Sequence, residues 1–292
     1  MTQTQDILSS VSLALAETDP DGFAEQIGRS FADWGFAVVA DHGIPEALIE
    51  RAEAMSRAFF ALPEAVKRAY HIAGGGGARG YTPFGTESAK DSDIQDLKEF
   101  WHIGRELPSG HPFAPYMPAN VWPRELDGFR ETYLEMYAAF DKAGARILEA
   151  IARYLDLAPD FFVDTVRAGA HEDINTITLL IGAEEAGLEL LDRKGNWRPV
   201  TPKPGELAVN IGDMLQRLTN DRLPSTTHRV VNPAPERRGF SRYSMPFFLH
   251  FRPDYLIETL PSCVDQDHPD LYPQPITAHD YLQQRLREIG LI

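Results

Sequence analysis

The stretch Pro204-Gly205-Glu206-Leu207-Ala208-Val209-Asn210-Ile211-Gly212-Asp213-Met214 decides how the second half of this chain is read. A short run rich in Leu, Val and Ile with glycine on both sides reads as a buried β-strand, Glu206–Ile211. Similar runs flank it: Thr176–Ile181 and Gly187–Leu191 before it, Arg229–Val231 and Arg242–Leu249 after it, separated by Gly, Pro and Asn. Their β-branched and aromatic content suits a pleated surface, and together they predict an antiparallel β region.

Outward from this region the pattern is helical. From Asp21 the apolar residues Phe23, Ile27, Phe31 and Trp34 keep one face, and Gly35 stops the helix before a strand at Phe36–Ala40. Pro45 suits the start of a helix reaching about Ala61. Gly74–Gly77 reads as a mobile loop, because no Gly-Lys-Ser/Thr follows to make a phosphate cradle. Asp127–Leu157 carries a stripe through Phe129, Met136, Phe140, Ile147 and Ile151, a long buried helix. After the Pro-rich stretch Pro261–Pro275, Thr277 and Asp280 mark the capped start of a last helix. Helices, then strands, then one helix describe a β sandwich or barrel buttressed by helices.

The 292 residues allow one or two domains, and 43 % hydrophobic with 24 % charged residues is ordinary globular composition. A net charge of −15 repels phosphate backbones and anionic lipid, so neither nucleic acid nor membrane is expected as a partner. The single cysteine, Cys263, excludes an intrachain disulfide and a Cys-built metal cluster, leaving His and carboxylates as metal ligands. The N-terminus lacks a basic signal region and no apolar run nears the roughly 20 residues of a membrane span, so a cytoplasmic protein is expected.

Among nine histidines, His171-Glu172-Asp173 puts an imidazole and a carboxylate on one face of an extended chain. The same spacing at His268-Pro269-Asp270 lies in the Pro-rich stretch and reads as solvated surface. His228 follows Asp173 by 55 residues at the head of a β run, and Arg242-Tyr243-Ser244 begins 14 residues later. Two histidines and one carboxylate would fill one face of an octahedral ion, as in non-haem Fe(II) oxygenases, with zinc a physical alternative. Arg242 and Ser244 share a strand face. A guanidinium directed into a β core is costly unless an anion meets it, and the pair suits a carboxylate. Asn210 and Asp213 read as turn hydrogen-bonding residues. Tyr81, Phe100, Trp101, Phe247 and Phe248 are candidates for a substrate pocket, weighed against plain core packing.

These motifs, with Thr219-Asn220…Ser225-Thr226-Thr227-His228-Arg229-Val230 and the entry segment Trp34-Gly35-Phe36…Asp41-His42-Gly43-Ile44, resemble the isopenicillin N synthase-like, 2-oxoglutarate-dependent Fe(II) dioxygenases over most of the chain. The resemblance implies a mixed α/β fold with a mainly β core, a double-stranded β-helix (jelly roll) flanked by helices. It implies one structural unit: an N-terminal region at 5–118, a jelly-roll core at 145–256, and a C-terminal loop and helix at 257–292. It further implies His171, Asp173 and His228 as Fe(II) ligands, and Arg242 and Ser244 on the distal carboxylate of 2-oxoglutarate. No other catalytic side chain is implied. With O2, a small organic substrate would be hydroxylated, desaturated or cyclised as succinate and CO2 are released. An iron oxidase that does not use 2-oxoglutarate, a type that consumes 2-oxoglutarate to form ethylene, and a non-catalytic metal or ligand sensor are the alternatives. A monomer or weak homo-oligomer is expected.

One departure from the family pattern stands out. A strand with an Arg-…-Tyr-Pro segment should separate the short helix around Pro159–Val166 from His171. Here Val166 runs into Arg167-Ala168-Gly169-Ala170-His171: either the strand is lost, which would open an edge of the jelly roll, or a stretch is omitted from the sequence near Val166–Arg167, and the omission is the favoured expectation.

Overall fold

The computed structural model describes residues 8–86, 98–163, 165–168, 174–181, 187–231 and 241–288. β1 (Ser10–Ser12) and α1 (Leu15–Thr18) lead into α2 (Pro20–Trp34). Asp19 caps α2 by accepting the Gly22 N–H at 3.0 Å, and Pro20 needs no donor at the first helical position. Phe23, Ile27 and Phe31 recur three or four residues apart and are fully buried. Gly35 ends the helix in the left-handed region at φ 68°, and β2 (Phe36–Ala40) follows at once. α3 (Glu46–Phe60), α4 (Glu64–Arg68), the paired β3 (Gly80–Thr82) and β4 (Phe100–His102), and α5 (Phe129–Tyr154) complete this half.

The second half contains β5 (Val166–Ala168), β6 (Ile177–Ile181), β7 (Leu188–Leu191), β8 (Trp197–Pro199), β9 (Leu207–Ile211), α6 (Asp213–Leu218), β10 (His228–Val230), β11 (Met245–Phe251), β12 (Leu256–Ile257), β13 (Ile276–Thr277) and α7 (Ala278–Glu288). A six-stranded sheet in the order β1-β2-β9-β6-β11-β5 and a three-stranded sheet in the order β10-β7-β8 are the two layers of the jelly roll. All pairings in them are antiparallel except β1 with β2.

The alternation of side chains along each strand sorts the interior into two cores. Ala37 and Val39, Leu179 and Ile181, Val209 and Ile211, and Phe247 and Leu249 face the helix layer, where Phe140, Ile147 and Ile151 of α5 meet them. Burying an aliphatic side chain of this kind stabilises by about 1.5–3 kcal/mol. The opposite faces carry Phe36, Val38, Leu180 and Ala208, which meet Leu188 and Leu190 of the small sheet and Val200 just after β8. A third cluster of Phe59, Tyr81 and Phe129 lies under the β3–β4 pair.

Val166–Ala168 forms a short strand, β5, which pairs with Leu249–Phe251 and covers that edge of β11. Two expectations are corrected. The short helix expected around Pro159–Val166 is a set of turns, with Phe161 and Val163 N–H donating to the carbonyls of Ala158 and Asp160. Asp213 does not end a turn but begins α6, and its carboxylate pairs with Arg285 of α7 at 3.0 Å.

Candidate active site between the two sheets

His228 opens β10, opposite Leu190 of β7. Its approach is held from both sides. The Leu191 N–H donates to Thr227 O at 2.8 Å, and the Ser225 N–H donates to Gln216 Oε1 at 2.5 Å. The imidazole meets Phe36 edge-on, with ring centroids 5.3 Å apart. Nδ1 lies 3.1 Å from Thr226 O. An N–H at Nδ1 donating to that carbonyl places the lone pair on Nε2, the tautomer that a metal-ligating histidine uses.

Phe36 is the end of a row across the large sheet. The register sets Phe36 beside Asn210, Asn210 beside Thr178 and Thr178 beside Phe248, all on the face turned to the small sheet. The neighbouring row is Val38, Ala208, Leu180 and Pro246. In the first row Phe36, Asn210 and Thr178 are buried and Phe248 is partly exposed; Thr178 Oγ1 accepts from Asn175 Nδ2 at 2.8 Å.

Arg242 and Ser244 precede β11 and are exposed. Between them, Tyr243 turns to the helix side, its ring 4.6 Å from the Arg57 guanidinium carbon and 6.2 Å from the Phe60 ring. Alternation therefore turns Arg242 and Ser244 toward the small sheet. Arg242 Nη1 lies 3.2 Å from where a Cβ on Gly187 would sit, and Gly187 O accepts the Val231 N–H at 2.8 Å. The arginine thus reaches from the large sheet to the far end of β10, three residues from His228.

The aromatic candidates separate. Tyr81 is fully buried and donates its hydroxyl to Glu99 Oε2 at 2.5 Å; burial pushes that phenol far above its ordinary range. Trp101 packs on Phe59 at 4.7 Å, and Phe247 stacks on Phe140 of α5 at 5.1 Å, so these three are built into the packed helical side. Phe100 lies half-buried against His102 at 4.5 Å. Phe248 alone of the five shares the intersheet row with Phe36. His171 and Asp173 lie outside the described residues. Among the described residues no group of three His, Cys, Asp or Glu side chains could hold a metal ion. His268 and Asp270 are exposed as expected, yet they anchor the C-terminal loop: His268 Nε2 bonds Asn220 O at 2.6 Å and Asp270 accepts the Thr259 hydroxyl at 2.8 Å.

Sequence reasoning did not find Thr178, or the buried Arg79 and His250 that line a cavity beyond the row. Arg79 stands between Ala78 and Gly80 at the end of the glycine-rich stretch and has no periodic partner, so nothing in its spacing distinguishes it from a loop arginine.

His228 thus opens β10 and Arg242 reaches past the other end of the same strand. The chain matches the 2OG-Fe(II) oxygenase superfamily over residues 150–251 and the N-terminal model of non-haem dioxygenases of morphine synthesis over residues 8–125. It belongs to the 2-oxoglutarate–Fe(II) oxygenase family and is a non-haem iron dioxygenase requiring Fe(II), 2-oxoglutarate and O2. The 2-oxoglutarate-Fe(II) type oxidoreductase hxnY of Emericella nidulans is 33 % identical over 294 residues, covering 89 % of this chain and 82 % of that protein. A 2OG-Fe(II) oxygenase family protein from Caulobacter crescentus has a crystal structure matching with a TM-score of 0.91 and 52 % identity, over 98 % of this chain and 100 % of that one. A full-length Neurospora crassa protein, crystallised in complex with alpha-KG and thymine, matches with a TM-score of 0.81 and 25 % identity over 98 % of each chain.

Proposed function

We propose that this dioxygenase oxidises a small organic substrate in the space between the two sheets, with His171, Asp173 and His228 holding the iron and Arg242 and Ser244 holding the distal carboxylate of 2-oxoglutarate. The observation that carries this reading is the reach of Arg242 from β11 to Gly187, on the side of the sheet where His228 rests on Phe36. When bound, iron and 2-oxoglutarate supply the oxidising chemistry, ending in succinate, CO2 and a hydroxylated, desaturated or cyclised product.

The chain's own residues position and shield. The guanidinium fork suits two-point contact with a carboxylate, and the Ser244 hydroxyl can donate to the same group. Thr226 O fixes the His228 ring. Phe36 and Phe248 line the row beneath, and Phe248 is the aromatic placed to meet substrate. The domain reading follows the shared core: an N-terminal region at 5–118, a jelly roll at 145–256 and a tail at 257–292 acting as one unit. A cytoplasmic location and a monomer or weak homo-oligomer belong to the same reading, and the acidic charge disfavours nucleic-acid and anionic-membrane partners.

The test is turnover. Protein purified without oxygen and supplied with Fe(II), ascorbate, O2 and a broad substrate panel should convert 2-oxoglutarate to succinate. No succinate above a His228→Ala control would overturn the proposal.

A further inference from the structure

One pleat beyond Phe248 along the same strand face, His250 borders a cavity of about 230 Å³ between the loop at 74–79, the segment Tyr116–Pro118 and α7. That is smaller than a drug-sized pocket and suits a compact molecule. In a chain of net charge −15 its lining is unusual: it contains Arg79, His250 and His279 and no Asp or Glu. Leu282, Leu286 and Met117 make much of the rest apolar.

Arg79 is only 4 % exposed. Its Nε donates to Pro118 O at 3.0 Å and its Nη1 to Ala78 O at 2.5 Å. No carboxylate lies within ion-pair distance among the described residues, and Nη2 makes no hydrogen bond to any of them. The other neighbour of Arg79 is the Tyr137 phenol, which burial keeps protonated, and neutral groups alone do not compensate a buried guanidinium, which is stable in such a place when an anion completes it. The side chain lies over Gly104, where a Cβ would stand 2.0 Å from Nη2. Asn120 clamps Gly104 on both sides, accepting its N–H and donating to its carbonyl, each at 2.7 Å.

We propose that this cavity takes the carboxylate end of the primary substrate, with Arg79 as the residue that selects it, so that the substrate class is a small carboxylic acid with an apolar body. The inference rests on the 2-oxoglutarate-dependent reading of the intersheet site. His250 on the cavity wall shares its strand face with Phe248, so the apolar part of the molecule would extend along β11 from the cavity toward Phe248.

The experiment uses Fe(II)-loaded protein saturated with 2-oxoglutarate under anaerobic conditions, titrated calorimetrically with benzoate, hexanoate and phenylacetate, each against its primary amide. At least one carboxylate should bind about threefold or more tightly than its amide, with about tenfold typical of a charge-assisted pair. Arg79→Gln should abolish the preference. Because that variant removes the bonds to Pro118 and Ala78, Gln283→Glu serves as the second: it sets a carboxylate on the cavity wall without touching the arginine's seat, and should abolish the preference too. A preference below about threefold for every pair in the unaltered protein, or one that survives in Gln283→Glu or in folded Arg79→Gln, would overturn the proposal. Failure of the 2-oxoglutarate reading would show separately, as no charge-transfer absorption when 2-oxoglutarate is added to the Fe(II) protein.

Discussion

Gly104 lies directly beneath the Arg79 guanidinium, with no room between Nη2 and the position of a Cβ on residue 104. The Gly104→Ala variant therefore displaces the end of a flexible side chain rather than backbone. The fold should survive, with a loss of about 1–3 kcal/mol from the disturbed guanidinium hydrogen bond to Pro118. Urea denaturation measures the loss, and the carboxylate-over-amide preference should fall with it.

Glu99 holds together a buried polar cluster. Its Oε2 accepts from Lys67 Nζ at 2.7 Å and from the Tyr81 hydroxyl at 2.5 Å, and Lys67 is 5 % exposed. Glu99→Ala leaves the ammonium with Phe60 O and the more distant Glu64 carboxylate at 3.5 Å. Equilibrium unfolding should show a loss of about 3 kcal/mol, the low end for breaking a buried pair because Glu64 remains.

Gly35 couples the end of α2 to the approach to His228. Its φ is 68°, and a Cβ there would stand 2.4 Å from Pro224 O and 2.3 Å from Thr226 Oγ1. Unlike the case at Gly104, one of these atoms is backbone. Gly35→Ala should cost about 1–3 kcal/mol and shift Thr226, whose carbonyl orients the His228 ring. Iron affinity, measured by chelator competition, should fall more than stability alone explains.

His42 gives the fold a pH dependence of known sign. It is buried, accepting the Ile44 N–H at Nδ1 (3.1 Å) and donating from Nε2 to Gly205 O (2.7 Å). Burial holds its pKa below the ordinary 6.5, against smaller opposing effects of the Gly205 carbonyl and Asp41. The folded state keeps it neutral while the unfolded state takes up a proton. Its contribution is therefore full above pH 6.5 and is lost as the pH falls from there through the depressed folded value. Denaturation midpoints compared on either side of 6.5 should show less acid sensitivity in His42→Gln.

Much of this was legible from local pattern. α2, its glycine stop, β2 and β9 follow from apolar spacing and punctuation within single segments. The parity of β11 was legible too: Arg242 and Ser244 on one face put Phe248 with them and Phe247 on the other. Contacts between distant segments were hidden. Phe36, Asn210, Thr178 and Phe248 form a row only through strand register, and Arg79 meets Gly104 across 25 residues with no periodicity to announce it. Three residues at Val166–Ala168 are too few to signal a strand until β11 supplies its partner.

The central claim is that Arg242 and the His228 centre act on one 2-oxoglutarate molecule. Anaerobic titration of 2-oxoglutarate into the Fe(II)-loaded protein tests it most directly, through the visible metal-to-ligand charge-transfer absorption. The absorption should saturate at one 2-oxoglutarate per chain, require about tenfold or more 2-oxoglutarate in Arg242→Gln, and be absent in His228→Ala. No such absorption in the unaltered protein, or an affinity unchanged in Arg242→Gln, would contradict the account.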